Sequence, residues 1–264
     1  MKIRVVVITL SVLFANFVWA ENYSPARSSN PKDVFWGDTH LHTRNSADAY
    51  TYGNKNLSPD DAYRYAQGKE LVAHNGMKVR IKTPLDFLVV ADHAEYLGGF
   101  YRYGMQDPRI KRTVIGRKWD QWTSAGEDDK IYPTFTASQV DPVSYPPFPE
   151  RLQKSIWKGV ANSADAHNKP GTFTTFSGYE WTSMINRNNL HRVVIYKDSA
   201  DKVAQMAPFS AQSSQDPREL WKFLAQYEKA TDGEVIAIPH NSNLSGGMMF
   251  PDNTVDGNPI DVGY

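Results

Sequence analysis

The stretch Val34-Phe35-Trp36-Gly37-Asp38-Thr39-His40-Leu41-His42 decides how the rest of the chain is read. An apolar run ends directly in a polar segment that carries two histidines two residues apart. Alternate side chains of an extended strand share a face, so His40 and His42 point the same way and can grip one ion. The layout recurs. Phe87-Leu88-Val89-Val90-Ala91 runs into Asp92-His93, residues 172–176 lead to Gly178-Tyr179-Glu180, and Val235-Ile236-Ala237-Ile238-Pro239 ends at His240. His191 is the reversed case, because it opens the strand-like Arg192-Val193-Val194-Ile195-Tyr196. Polar residues gathered at strand ends are what an α/β barrel uses to build an active site.

Helix signals lie between these runs. Ser58-Pro59-Asp60-Asp61 supplies an N-cap, a proline at the first helical position and acid in the first turn, which predicts a helix to about Gln67. Asp216-Pro217-Arg218-Glu219 reads as a capping box, followed by Leu220, Phe223, Leu224 and Tyr227 at helical spacing. Leu152, Ile156 and Val160 predict a third helix across residues 150–167. Buried-looking strands alternating with helices imply an α/β fold on a parallel sheet. Residues 99–149 break the alternation. They are rich in aromatics (Phe100, Tyr101, Tyr103, Trp119, Trp122) and basic residues and end in Tyr145-Pro146-Pro147-Phe148-Pro149. They read as an insertion over the mouth of the site.

Composition narrows the chemistry. Across 264 residues, 29 Lys+Arg balance 29 Asp+Glu, so there is no bulk electrostatic grip on nucleic acid and none is expected as a partner. The absence of cysteine excludes disulfides, iron–sulfur clusters and thiol nucleophiles, and any metal must be held by His, Asp and Glu. No phosphate loop, dinucleotide turn or serine nucleophile elbow is present. Lys2 and Arg4 precede an apolar run over residues 5–19, and Val18-Trp19-Ala20 offers a cleavage site. This layout predicts a signal peptide over residues 1–20 and a secreted or periplasmic protein with no membrane association after cleavage. Residues 21–32 are polar and proline-containing and read as a linker. Residues 33–264 are left as the main domain.

Of the seven histidines, five (His40, His42, His93, His191, His240) sit at ends of strand-like runs, while His74 and His167 read as solvent or helix-surface residues. Asp48 and Glu180 would add hard oxygen ligands. Asp38 and Asp92 lie near histidines and are placed to accept a second ring N–H, fixing the tautomer. Arg192 and Asn241, beside His191 and His240, are candidate contacts for an anionic substrate.

Taken in order, Gly37-Asp38-Thr39-His40-Leu41-His42-Thr43, Ala91-Asp92-His93, Gly178-Tyr179-Glu180, His191 and Pro239-His240 resemble the PHP (polymerase and histidinol phosphatase) superfamily. More closely, the sequence resembles an exported PHP-like family designated domain of unknown function 3604, over roughly residues 33–250. The resemblance implies a distorted (β/α)7 PHP-type barrel with two to three divalent metal ions (Zn, Mn or Fe) at its strand ends. It implies that His40 and His42 hold a first ion, that Glu180 bridges to a second completed by His191 and His240, and that His93 serves a third. Asp48 stands where the family often has a histidine, which makes that position harder and more manganese- or iron-like. PHP proteins end their barrel with an Asp-x-His motif, and no histidine follows His240 here, so the barrel is expected to be incomplete at its C-terminus.

The implied activity is hydrolysis by a metal-activated water, with no catalytic side chain of its own. Three readings fit the sequence. One is a phosphoesterase acting on a small anionic phosphoester. Another is a hydrolase of the same fold that cleaves amide, ester or lactone bonds. The third is a binding module that holds a ligand with the aromatic insertion and keeps a vestigial metal site.

Overall fold

The apolar runs form strands, and their polar ends converge. The computed structural model describes residues 33–260, and both the signal peptide expected over residues 1–20 and the linker expected over 21–32 lie outside the described residues. The strands are β1 (Gly37–Leu41), β2 (Leu71–Val72), β3 (Lys78–Val79), β4 (Phe87–Val90), β5 (Thr174–Trp181), β6 (Arg192–Tyr196) and β7 (Val235–Pro239). The helices are α1 (Ala47–Thr51), α2 (Pro59–Ala66), α3 (Gly99–Gly104), α4 (Pro108–Lys111), α5 (Val114–Ser124), α6 (Thr134–Val140), α7 (Glu150–His167), α8 (Ala200–Val203) and α9 (Pro217–Thr231). Five strands make the main sheet in the order β1-β4-β5-β6-β7, while β2 and β3 form a separate hairpin that the sequence did not announce.

The sheet is mixed, which corrects the expectation of a parallel one. β1, β4 and β5 run parallel, but β6 is antiparallel to both β5 and β7. The connection from Trp181 to Arg192 is too short for a parallel crossover, which needs about a dozen residues or more, so the chain simply turns back. The reversal explains the odd placement of His191. The start of an antiparallel strand lies on the same sheet edge as the ends of its neighbours, so the four histidine-bearing strand ends and the Glu180 end of β5 meet there.

The sheet also curls. Flat strands about 4.8 Å apart would hold its two outer strands roughly 19 Å from each other. Yet the rings of His40, on β1, and His240, just past β7, lie 4.0 Å apart between centroids. The fold is therefore a mixed α/β structure built on a curled half-barrel.

Period-two alternation sorts the side chains between the two faces of this sheet. Leu88 and Val90 face outward onto Ala62, Tyr63 and Ala66 of α2 and Ala164 of α7. Val89, Ala91, Val193 and Ile195 pack together on the concave face, with Phe176 and Ile238 against them. Gly178 belongs to this crowded middle, where a Cβ would come 2.5 Å from a Val89 methyl and 2.9 Å from the Val194 carbonyl oxygen. Only glycine lets β5 sit so close to both neighbours.

The helix signals are seen in detail. α2 starts with a complete capping box, in which the Ser58 hydroxyl accepts from the Asp61 N–H and the Asp61 carboxylate accepts from the Ser58 N–H. The box expected at α9 is only half made. Asp216 caps the Arg218 N–H at 2.9 Å, but the Glu219 carboxylate turns to Lys222 at 2.7 Å instead of reaching back. Residues 99–149 fold into four short helices, α3 to α6, rather than a loose flap. Ile110, Ile115, Trp119 and Phe135 join the largest buried cluster together with Trp157, Tyr179 and Trp181. Among the described residues no helix is long and apolar enough to cross a membrane.

Candidate metal centre

Glu180 stands on the concave face of β5 with no exposure to solvent. Each of its oxygens faces two imidazoles. Oε2 lies 2.8 Å from His40 Nε2 and 2.8 Å from His42 Nε2, while Oε1 lies 2.6 Å from His191 Nδ1 and 2.5 Å from His240 Nε2. Strand parity produces this convergence: residues 40 and 42, 93, 180, 191 and 240 all share the concave face of their strands or strand extensions. His40 and His42 also bring their Nε2 atoms to 3.1 Å of each other.

Asp48 forms a second focus. α1 delivers it, with Oδ1 and Oδ2 both 3.1 Å from His42 Nδ1 and Oδ2 3.5 Å from His93 Nε2. All seven ligands expected from the sequence therefore meet in one connected cluster. Two groups within it are compact enough to hold an ion, His40 with Glu180 and His240, and His42 with Asp48 and His93.

The remaining expected residues take other positions. Asp38 accepts the His40 backbone N–H at 2.7 Å. Asp92 accepts the Thr43 N–H at 2.5 Å and the Thr43 hydroxyl at 2.7 Å, pinning the chain just after His42. The His93 Nδ1 lies 2.5 Å from the Thr182 hydroxyl, so Thr182 has the tautomer-fixing place expected of Asp92. Arg192 has the outward parity of β6. Its buried guanidinium donates to the Leu190 carbonyl at 2.7 Å and lies over the Trp221 ring of α9, on the far face of the sheet from the centre. It is a packing residue, not a contact for substrate. Asn241 sits exposed beside His240 with a left-handed backbone, φ 54°. His74 is exposed, and His167 stacks on Tyr63 and lies 3.2 Å from Asp60, so both stay outside the centre as expected.

Sequence reading missed Ser46 and Thr182. Ser46 is the N-cap of α1, but its hydroxyl makes no capping bond; it donates to Asp48 at 2.6 Å and lies 3.2 Å from His42 Nδ1. Thr182 carried a usable signal, since it follows Glu180 by two residues and shares its parity.

Without metal, protons must mediate these contacts. Burial pulls the His42 imidazole down, but its hydrogen bonds to Asp48 and Glu180 outweigh that and push it up to about 10. Burial also opposes charge on His93, yet the Glu180 charge and the Asp48 contact raise it. Burial favours a neutral Glu180, but the charge on His93 and the bonds from His191, His240 and His40 hold the carboxyl well below its usual range. Burial dominates at His191 and lowers it.

A raised histidine stabilises the metal-free fold below about pH 6.5, and that contribution is lost as pH rises through about 10. Metal ligation needs neutral imidazole, so loading at pH 7 is expected to release protons. Apparent affinity should climb about tenfold per pH unit for each proton displaced. Calorimetric titration in two buffers of different ionisation enthalpy measures the number released, and a result of zero would contradict this account of the site.

The family model described as Protein of unknown function (DUF3604) matches residues 29–264. The chain belongs to this family. The match takes in every residue of the cluster, from His40 to His240, so the centre described here lies inside the DUF3604 region. No curated protein and no solved structure matches the chain.

Proposed function

We propose that this DUF3604 chain is an exported, metal-dependent phosphoesterase of the PHP superfamily, whose curled half-barrel is part of a PHP-type (β/α)7 barrel. One observation carries the reading: a wholly buried carboxylate with two imidazole nitrogens against each oxygen. Burying a charge among polar groups is costly unless something pairs with it. Here the partners are imidazole nitrogens, two of which, on His40 and His42, also face each other at 3.1 Å, a set that suits divalent cations better than a single shared proton. The donors fit zinc, manganese or iron, with the oxygen of Asp48 favouring the harder ions.

His40, His42 and Glu180 would hold one ion, and Glu180, His191 and His240 a second. His93 and Asp48 would serve a third. Bound ions supply an acidified water and neutralise charge on the group attacked. The chain's own residues do the positioning. Glu180 fixes the spacing between the two imidazole pairs, Thr182 orients His93, and Ser46 aligns Asp48 with His42. Two divalent ions against two carboxylates leave the centre net positive, which favours an anionic substrate such as a phosphomonoester. Asn241, exposed beside His240, is a candidate substrate contact at the rim. Export rests on Lys2, Arg4 and the apolar run over residues 5–19.

The test is a substrate panel on metal-loaded protein, with phosphoesters set beside carboxyl esters, amides and lactones. Phosphoester turnover inhibited by inorganic phosphate is expected. Turnover confined to carboxyl esters, amides or lactones and indifferent to phosphate would overturn the phosphoesterase reading.

A further inference from the structure

A line of aromatic rings leads from the metal centre to solvent. Phe135 of α6, buried, packs on the His93 imidazole with centroids 5.0 Å apart. Tyr132 stacks parallel to Phe135, at 6.1 Å with 10° between planes. Tyr52, which closes α1, meets Tyr132 at 6.2 Å and is 79% exposed. The inner end of the line is therefore a candidate ligand, and the outer end is carried by the same helix that delivers Asp48.

Tyr52 gains a hydroxyl contact to Tyr132 but little apolar burial from the fold. A ring so exposed buries little apolar area, and its partner Tyr132 is only half-buried. Two neighbouring tyrosines show what a covered ring looks like here: the Arg44 guanidinium lies 4.1 Å over Tyr101, and the Lys55 ammonium 5.5 Å over Tyr50. Among the described residues no cation covers Tyr52 or Tyr132. Tyrosine faces attract other rings, both flat arenes and the C–H faces of sugars, and exposed hydroxyls suit a wet rim.

We propose that Tyr52 and Tyr132 form a stacking wall for the organic part of the substrate, so that the preferred substrate is a ring-bearing phosphoester, aryl or sugar, rather than an acyclic one. The inference rests on the phosphoesterase reading of the Glu180 centre. The anionic group meets the ions, and the ring it carries lies along the tyrosines.

The test uses the metal-loaded full chain and Tyr52→Ala, whose exposure makes the substitution compatible with folding. Calorimetry compares phenylphosphonate with methylphosphonate, which share the anion and have no ester to cleave. The KM values of glucose phosphate and glycerol phosphate give the sugar arm. Wild type is expected to favour the ring-bearing probe in at least one arm, and Tyr52→Ala to reduce that preference roughly two- to tenfold. The arm that responds identifies the ring. No preference in the wild type, or a preference that Tyr52→Ala leaves intact, overturns the wall. The two readings fail separately. Tyr52-dependent phosphonate binding with no ester turnover sinks the phosphoesterase and keeps the wall, whereas turnover without ring preference does the reverse.

Discussion

Glu180→Gln is expected to strip the centre of its ions and lower the proposed hydrolysis by about a hundred- to a thousandfold, the scale at which enzymes lose charge-stabilising groups aimed at the reaction. The change keeps the side chain's size, so the loss is electrostatic. Glutamine offers one neutral oxygen where two charged ones now face four imidazoles. It cannot bridge two cations. In the metal-free protein the same change removes a buried partner from several histidines, a class of substitution that costs about 3–5 kcal/mol. The raised titrations of His42 and His93, to which Glu180 contributes, should fall, and NMR titration of the imidazoles reads this directly. Ions retained in full by a folded Glu180→Gln protein would show that the carboxylate is not a bridge.

Trp119→Ala is expected to cost about 3–5 kcal/mol of stability, as truncation of a buried aromatic does. Trp119 is fully buried in α5, with Tyr96, Phe100 and Tyr103 rings at 5.5, 5.1 and 5.3 Å. Removing the indole leaves a hole that these rings fill only in part. Denaturant unfolding checks the size of the effect and its cooperativity. If residues 99–149 were a flap laid over the mouth, the loss would stay below about 1 kcal/mol or appear as a separate early transition. A single transition at much lower denaturant is the expected result, because Phe135, from the same segment, also packs on His93.

The site was more legible in the sequence than the fold around it. Histidines and acids are chemically distinctive, and every candidate ligand except Asp48 flanks an apolar run, after it or, for His191, before it, whose alternation showed which face it would take. Their parity survives any uncertainty about strand direction, so six candidate ligands could be read before the topology, while Asp48, on α1, has no strand parity to read. The direction of β6 was harder, because a strand looks alike read either way. The brevity of the connection from Trp181 to Arg192 carried that information, and it outweighed the expectation of alternating strands and helices. Arg192 was misplaced for a related reason: adjacency to His191 along a strand means the opposite face, not the same site. The helices of residues 99–149 are short and broken at Gly104, Asp107-Pro108 and Gly126, too brief for a clear period. Ser46 was hidden by its type, since a serine before a helix suggests a cap, and here the hydroxyl turns to Asp48 instead.

The central claim is that the Glu180 cluster is a metal centre, and elemental analysis of the purified protein tests it most directly. Wild type expressed with ample zinc, manganese and iron should carry at least two divalent ions per chain, and His40→Ala measurably fewer. A folded wild-type chain that holds none under those conditions, or a His40→Ala protein that holds just as many, would contradict the account.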